Sequence, residues 1–256
     1  MKARIIAVAN QKGGVGKTAS VAAIGALLAK RGYRTLIIDL DTQANLTSSL
    51  LRETPGEELQ TIGGALRGLY SLPQYPIKGN LYIAPSDSEL GRIETDLAGI
   101  AEREYILRDL LQTAAPDYSF ILLDCPPSLS LITRSAFTAA NIVLVPMTAE
   151  ALPAQGLSKV EETIEETKQR TNKGLSLGGV FLTRWESSRL SKRIEELLRQ
   201  SYGDKVFSSR IRKNIAIAES PLLQLDITEY APGSNGARDY EALTEELLRR
   251  LKIEGK

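Results

Sequence analysis

Residues 10–18 of the chain, Asn10-Gln11-Lys12-Gly13-Gly14-Val15-Gly16-Lys17-Thr18, form a glycine-rich segment between two patterned stretches. An apolar run precedes it at residues 5–8, and an alanine-rich, helix-forming run follows at residues 21–29. This order of strand, glycine-rich turn and helix start is the context of a phosphate-binding loop, whose backbone N–H groups point inward. The segment therefore predicts a site for a nucleotide triphosphate, with Lys17 on the terminal phosphates and the Thr18 hydroxyl on Mg²⁺.

The spacing of this loop departs from the usual G-x-x-x-x-G-K-[ST] pattern at one position. Gln11 stands where the first glycine is expected, and a second lysine, Lys12, lies beside it. Two alternatives remain open. Residues 14–19 also match a dinucleotide-binding pattern, with Asp39 near the distance of a ribose-binding acid, and a glycine-rich turn can hold no ligand at all. Lys17-Thr18 directly after the last glycine favours the triphosphate.

The composition of the 256 residues sets several limits. A single cysteine, Cys125, excludes an internal disulfide and a metal site built from several thiolates of one subunit. Histidine is absent, so acid–base chemistry falls to carboxylates, lysines or bound water. The net charge of +1 predicts no strong global field. Without a signal-like stretch or a run of about 20 apolar residues, we expect a cytoplasmic protein with no membrane span.

Short apolar runs alternate with helical patterns along the chain. This alternation predicts an α/β fold in one domain spanning residues 1–256, with a mainly parallel, twisted sheet and helices on both faces. Predicted strands are 3–9, 34–39, 81–84, 119–123, 141–146, 177–182 and 205–207, and predicted helices are 17–31, 93–113, 130–139, 154–171, 189–201 and 235–251. Region 52–80, rich in proline and glycine, predicts a helix with loops.

Three acidic residues follow predicted strands and should converge on the glycine-rich loop, because ligands of such folds bind at the carboxyl ends of strands. Asp39 and Asp41 follow one buried strand, and Asp124 ends the apolar run 120–123. Asp124 has the character of a Walker B aspartate, which holds Mg²⁺. An aspartate that only caps the next turn is the alternative.

The chain resembles the ParA/MinD/Soj-type deviant Walker ATPases, and most of all the short partition members that lack an N-terminal helix-turn-helix. We expect no such extension because the loop begins near residue 10. The resemblance extends over nearly the whole length and rests on these residues: 12–18 (KGGVGKT), 39–45 (DLDTQAN), 123–129 (LDCPPSL), Val145-Pro146, Glu150, Gly156-Leu157, Asn214 and 218–221 (AESP).

The resemblance implies ATP and Mg²⁺ as cofactors and slow, partner-stimulated ATP hydrolysis by a P-loop NTPase. It also implies an ATP-dependent sandwich homodimer and a ParB-like or other adaptor protein. The catalytic residues would be Lys12, reaching the partner subunit's nucleotide, Lys17, Asp41, which orients the attacking water, and Asp124. Metal binding would involve Thr18, Asp41 and Asp124. Expected nucleotide contacts are Gly13, Gly14, Val15, Gly16, Lys17, Thr18, Ala19, Glu150, Arg212 and Asn214, the last two near adenine.

The sequence departs from the family pattern at three positions. Thr42 stands where proline commonly follows the second aspartate, and Arg212 replaces a proline before Asn214. Ala216 occupies the position of an arginine that often contacts DNA, so that contact is lost.

A basic stretch remains at residues 181–215, which hold nine Lys/Arg against four acids. A solvated helix face is the alternative interpretation. Otherwise this stretch predicts salt-sensitive, sequence-independent binding of double-stranded DNA. The residues expected to bind DNA are Arg189, Lys192, Arg193, Arg210 and Lys213. The predicted function is then plasmid or chromosome partition, or cargo positioning, by a nucleoid-associated ATPase.

Three rival functions were weighed against this one. A MinD-like membrane-cycling ATPase needs an amphipathic C-terminal helix, but residues 241–252 contain leucines without phenylalanine or tryptophan and predict a helix packed on the sheet. An iron–sulfur reductase needs two cluster cysteines per subunit, and Cys125 is the only cysteine. A metabolic P-loop ligase would leave Lys12 without a role.

Overall fold

The computed structural model describes residues 3–51, 59–149 and 154–253, with only the backbone of residues 94, 154 and 155. The strands are β1 (Arg4–Val8), β2 (Thr35–Asp39), β3 (Tyr75–Lys78), β4 (Leu81–Ala84), β5 (Phe120–Asp124), β6 (Ile142–Thr148), β7 (Ser176–Trp185) and β8 (Val206–Arg212). The helices are α1 (Lys17–Lys30), α2 (Asn45–Leu50), α3 (Ile62–Leu66), α4 (Ile93–Asp96), α5 (Ile106–Ala114), α6 (Leu131–Ala139), α7 (Ala154–Arg170), α8 (Arg189–Tyr202), α9 (Ile215–Glu219), α10 (Ile227–Tyr230) and α11 (Asn235–Arg250).

The strands form one sheet in the order β3-β4-β2-β5-β1-β6-β7-β8. All neighbouring pairs are parallel except β3 with β4. Central strands β2 and β5 are buried along their whole length, which agrees with their continuous apolar runs and with a sheet covered on both faces. The predicted α/β fold with a mainly parallel sheet is therefore confirmed.

Apolar side chains pack in two clusters, and each contains residues from the central strands. One includes Leu36, Leu123 and Phe137, and the other includes Ile24 and Tyr240. The second cluster joins α1 to α11. At this junction the Ser20 hydroxyl lies 3.2 Å from the Tyr240 hydroxyl and donates to the Gly16 carbonyl at 2.6 Å. The C-terminal helix is thus packed directly beneath the start of α1.

The structure differs from the predicted elements in several regions: β6, β7 and β8 are longer than predicted, and α2, α9 and α10 were not predicted. A single helix over 93–113 is wrong: α4 ends at Asp96, and Glu102 takes a φ of 59°, which interrupts the helix before α5. In region 52–80 the pattern predicts no strand, yet β3 forms an antiparallel edge strand that tolerates Pro76 because its register shifts there. Residues 52–58 lie outside the described part of the chain.

The C-terminal helix packs as its sequence predicts. In α11, Tyr240, Leu243, Leu247 and Leu248 are all buried. Among the described residues, no helix combines the length and apolar character that crossing a membrane requires.

Candidate functional site

The glycine-rich loop connects β1 to α1 and uses glycine where the backbone needs it. Gly14 has a φ of 72° and Gly16 a φ of 87°, in the left-handed region that side chains rarely adopt. Gly16 stands directly before the first turn of α1, which begins with Lys17. The free N–H groups of that turn and the positive end of the helix dipole face the same opening. This geometry suits an anion such as a phosphate.

Polar groups at the ends of β6 and β7 hold the loop in place. The Asn10 side chain donates to the Pro146 carbonyl at 2.8 Å and accepts from the Lys12 backbone N–H at 3.0 Å. The Thr183 hydroxyl lies 2.8 Å from the Val15 carbonyl and 3.2 Å from that of Met147. Because these contacts are buried or partly buried, the loop conformation is fixed before any ligand binds.

The two lysines of the loop have different environments. Lys17 is buried, and its ammonium donates to the Lys12 carbonyl at 3.3 Å. Burial lowers the pKa of Lys17, while the nearby Asp124, Cys125 and Asp41 oppose this shift. Lys12 is exposed, and among the residues that the structure describes its ammonium reaches the Thr148 hydroxyl, at 3.4 Å. Lys17 therefore faces into its own subunit's site, and the side chain of Lys12 is accessible from outside.

Asp124 ends β5 directly behind the loop, with 1% of its surface exposed. Neither carboxylate oxygen has a hydrogen-bond partner among the described residues. Burial raises the pKa of Asp124 well above its usual range and the Asp39 charge raises it further, while the Thr18 hydroxyl and Lys17 oppose the rise. A buried carboxylate without a partner, next to a hydroxyl, fits the donor set of a hydrated Mg²⁺.

Asp39 is the counterpart of Asp124 on the neighbouring strand, and the two are paired in register between β2 and β5. Unlike Asp124, it accepts hydrogen bonds at both oxygens, from the Asp41 and Thr47 backbone N–H groups and the Thr47 hydroxyl. Burial raises the pKa of Asp39, and these hydrogen bonds oppose the rise. Asp39 thus holds the following loop together, and it does not line the cavity described next.

A cavity of about 490 Å³ opens between the loop and the segment 217–227, a size typical of ligand-binding pockets. Of the predicted residues, its lining contains Gly13, Gly14, Gly16, Lys17, Thr18, Ala19 and Asp41. Val15 is buried beneath the loop. The opposite wall includes Ile217, Pro221 and Asp226. The phosphate-binding elements and Asp41 therefore share one cavity.

The residues expected near adenine make other contacts. Arg212 forms an ion pair with Asp239 of α11 at 2.6 Å, and the Asn214 side chain accepts from the Ala216 N–H at 2.9 Å, at the start of α9. Neither belongs to the described residues that line the cavity. Their contact with adenine stays a prediction, and Glu150 lies outside the described residues.

Five residues predicted to bind DNA form an exposed basic surface on α8, β8 and the segment after it. We use this name for Arg189, Lys192, Arg193, Arg210 and Lys213. Three of them have acidic partners: Arg193 pairs with Glu196, Arg210 with Glu195, and Lys213 with Glu186. Arg189 and Lys192 have no acidic partner among the described residues. Charge compensation therefore divides the basic surface into two groups.

Sequence reasoning missed four residues that shape the site, namely Asn10, Thr47, Thr148 and Thr183. Two of them lie in strands that extend further than predicted, since β6 ends at Thr148 and β7 passes through Thr183 to Trp185. The signal was available, because a polar residue directly after an apolar run points to the carboxyl end of a strand.

Comparison with known proteins relates the whole chain to partition ATPases. A family model described as an AAA domain matches residues 3–177. The chromosome-partitioning ATPase Soj of Thermus thermophilus is 38% identical over 253 residues, which cover 98% of each chain. The chromosome partitioning protein ParA of Caulobacter vibrioides is 35% identical over 254 residues, covering 96% of this chain and 94% of that protein.

Solved structures with the same fold include a partition protein and a diamide synthase. A plasmid partition protein of Borrelia burgdorferi bound to AMPPNP has a TM-score of 0.86 and 25% identity, covering 97% of this chain and 99% of that one. A cobyrinic acid a,c-diamide synthase of Mycobacterium smegmatis, bound to an ATP analogue and magnesium, has a TM-score of 0.84 and 32% identity, covering 98% and 96%. The chain belongs to the AAA-domain family of the Soj and ParA chromosome-partitioning ATPases.

Proposed function

We propose that this protein is an ATP hydrolase of the partition type, whose ATP-bound dimer binds DNA and positions a plasmid, chromosome or other cargo. The observation that carries this proposal is a combination of two features. The buried Asp124 has no hydrogen-bond partner among the described residues, and the adjacent loop bears one inward-facing lysine, Lys17, and one accessible lysine, Lys12. Relatives named as chromosome-partitioning ATPases at 34–38% identity support it.

In the proposed reaction, the backbone N–H groups of residues 13–18 and the Lys17 ammonium bind the phosphates of ATP. Thr18 and Asp124 would hold Mg²⁺, which would neutralise negative charge on the phosphates when bound. Asp41, half-buried at the cavity wall, accepts a hydrogen bond from the attacking water and orients it. Phosphoryl transfer depends mainly on positioning and charge stabilisation, so a chain without histidine can perform it slowly.

The proposed dimer places two nucleotides face to face, and Lys12 of each subunit approaches the phosphates of the other. Within residues 3–51, 59–149 and 154–253, the contact of its ammonium is the long 3.4 Å hydrogen bond to Thr148, which it would give up. A positive charge donated across the interface offsets phosphate repulsion only when nucleotide is bound. Dimer formation is then controlled by ATP.

In the proposed DNA complex, the basic surface of both subunits contacts backbone phosphates. Arg189 and Lys192 contribute most, because no acidic residue in the described part of the chain compensates their charges. An adaptor protein of the ParB type would stimulate hydrolysis and release DNA, and the protein would cycle on and off the nucleoid in the cytoplasm.

One observation favours a second candidate, a membrane-cycling ATPase. Large apolar side chains are exposed on the segment that follows Lys213 along the chain, with Ile215 at 76% and Leu222 at 81%. Exposed apolar residues next to cations can associate with an anionic lipid surface. Because the apolar residues of α11 are buried, the segment 215–222 would make the contact with the membrane.

The deciding experiment measures binding to a random-sequence duplex and sedimentation with anionic liposomes, each without nucleotide and with ATP·Mg²⁺ or ADP·Mg²⁺. We expect the protein to bind the duplex only in the presence of ATP·Mg²⁺. It should not sediment with the liposomes under any of the three conditions. Sedimentation without duplex binding at 50 mM salt would assign the protein to the membrane-cycling class. Failure to bind ATP would overturn both candidates.

A further inference from the structure

A buried hydrogen-bond network joins the loop that carries Asp41 to two strand ends. Asp39 at the end of β2 accepts from the Asp41 backbone N–H at 3.0 Å through one oxygen. Its other oxygen accepts from the Thr47 backbone N–H at 2.9 Å and from the Thr47 hydroxyl at 2.8 Å. The same hydroxyl accepts from the Ser86 N–H at 2.9 Å, two residues past β4. Asp39, Thr47 and Ser86 are only 0%, 8% and 3% exposed.

Few side-chain groups could replace the Thr47 hydroxyl in this network. It donates to a carboxylate and accepts from a backbone N–H at the same time, and a hydroxyl is one of the side-chain groups able to do both. A valine of similar shape would leave one Asp39 lone pair and the Ser86 N–H without partners in a buried region, which is costly. The Asp39 side chain would then lose its fixed orientation toward Asp41.

From these contacts we propose that Thr47 is a positioning residue for ATP hydrolysis, which acts through Asp39 on the placement of Asp41. This inference rests on the proposed role of Asp41. Thr47 does not line the nucleotide cavity, although Asn45 and Ser49 of the same helix do. Its effect should therefore fall on the hydrolysis step and leave ATP affinity nearly unchanged. Misplacing a reacting group by about 1 Å can reduce a rate about 100-fold.

Three variants test this inference in the full chain: Thr47→Val, which removes both hydroxyl contacts, Thr47→Ser, which retains them, and the control Ser86→Ala. The Ser86 hydroxyl has no hydrogen-bond partner among the described residues, so Ser86→Ala removes a buried hydroxyl at the same place without breaking the network. Single-turnover hydrolysis gives the rate, calorimetry gives ATP affinity, and melting temperature reports folding.

We expect Thr47→Val to lower the hydrolysis rate about 10- to 100-fold with ATP affinity within about 3-fold of the unsubstituted protein. Thr47→Ser should restore the rate to within about 3-fold, and Ser86→Ala should be unchanged. Equal impairment in Thr47→Val and Thr47→Ser would overturn the inference, as would an equal fall of rate and affinity, or a normal rate in Thr47→Val.

Asp41→Ala separates failure of this inference from failure of the proposed function. Normal hydrolysis in Asp41→Ala would remove the role on which the inference rests, whereas lost hydrolysis there with a normal Thr47→Val would overturn the inference alone. If Thr47→Val does not fold, amide hydrogen exchange of the unsubstituted protein decides. The Asp41 and Thr47 amides should exchange at least about 100-fold more slowly than unprotected ones, and fast exchange of the Asp41 amide would contradict the network.

Discussion

The nucleotide cavity and the basic surface both concentrate charged residues, but they hold them in opposite ways. Next to the cavity, Lys17 at the start of α1 and Asp124 at the end of β5 are both buried. The glycine-rich loop before α1 is fixed by contacts to β6 and β7. At the basic surface, Arg189, Lys192 and Lys213 are exposed on α8 and past β8. Packing holds the charged side chains of the cavity in place. On the basic surface, only the backbone positions of the residues determine where their side chains lie.

This difference predicts how each region responds to substitution. A buried charge has few alternative partners, so its removal changes affinity or rate steeply. Exposed charges act through screened, roughly additive contacts. Removing one of them should therefore change the binding affinity only a little, and the change should become smaller as the salt concentration rises.

Lys17→Ala should lower ATP affinity by about 100-fold or more and abolish measurable turnover, because no other lysine of the described residues lines the cavity. Calorimetry measures the affinity. Lys30→Ala, at the exposed end of the same helix, is the matched control and should bind ATP normally. Unchanged ATP binding by Lys17→Ala would refute the phosphate-loop assignment.

Asp41→Ala should reduce turnover about 100-fold or more with little change in ATP affinity, because the water loses its orienting carboxylate while the phosphate contacts remain. The variant should accumulate as an ATP-loaded dimer in light-scattering measurements. A parallel loss of turnover and affinity would instead assign Asp41 to binding or structure.

Lys12→Ala should leave nucleotide binding by the monomer intact and weaken the ATP-dependent dimer at least about 10-fold, with turnover falling in step. Light scattering with ATP measures the dimer. Lys159→Ala, an exposed lysine on α7, is the control. An intact dimer with normal turnover would reduce Lys12 to an ordinary loop residue.

Asp124→Asn should stabilise the nucleotide-free protein at neutral pH and weaken its Mg²⁺ dependence. The folded-state pKa of Asp124 lies above its unfolded value, so the folded protein binds a proton that the unfolded chain releases. Stability is therefore lost as pH rises through the unfolded pKa and toward the folded one, and an uncharged amide avoids this loss.

Melting curves from pH 4 to 8 measure this effect. The melting temperature of Asp124→Asn should exceed that of the unsubstituted protein by a few degrees at pH 7, which corresponds to about 1–2 kcal/mol, and the two should converge toward pH 4. A lower melting temperature throughout would contradict an unpaired Asp124 in the nucleotide-free state.

The smallest effects should come from the basic surface. Arg189→Ala with Lys192→Ala should weaken duplex binding about 10-fold and flatten its log–log salt dependence by about 0.9 per lost contact. Arg210→Ala with Lys213→Ala should cost only about 2- to 3-fold, because Glu195 and Glu186 already compensate those charges. Equal losses in the two pairs would show that ion pairing on this surface does not limit DNA binding.

Much of the fold was predictable because its signals are local. The continuous apolar runs of β2 and β5 identify buried strands, and the alternation with helical patterns predicts a parallel sheet. The break before Glu102 and the edge strand β3 were missed although local signals exist: Gly99 lies in the break, and β3 pairs with the next strand, β4, across the two-residue turn Gly79-Asn80. A proline at position 76 predicts a loop. In the structure, the register shift between Pro76 and Lys78 allows the strand to form.

The chemistry of the site can be predicted from the sequence alone: a glycine-rich loop with two lysines, and acids placed after apolar strands. Which of these groups have hydrogen-bond partners depends on tertiary packing. Asp39 and Asp124 each end an apolar run, yet Thr47 and Asp41 donate hydrogen bonds to Asp39, whereas among the described residues neither Asp124 oxygen has a partner within hydrogen-bond distance. The reason is physical, since sequence spacing brings residues to a strand end, but desolvation and hydrogen bonding there depend on what other elements pack against them.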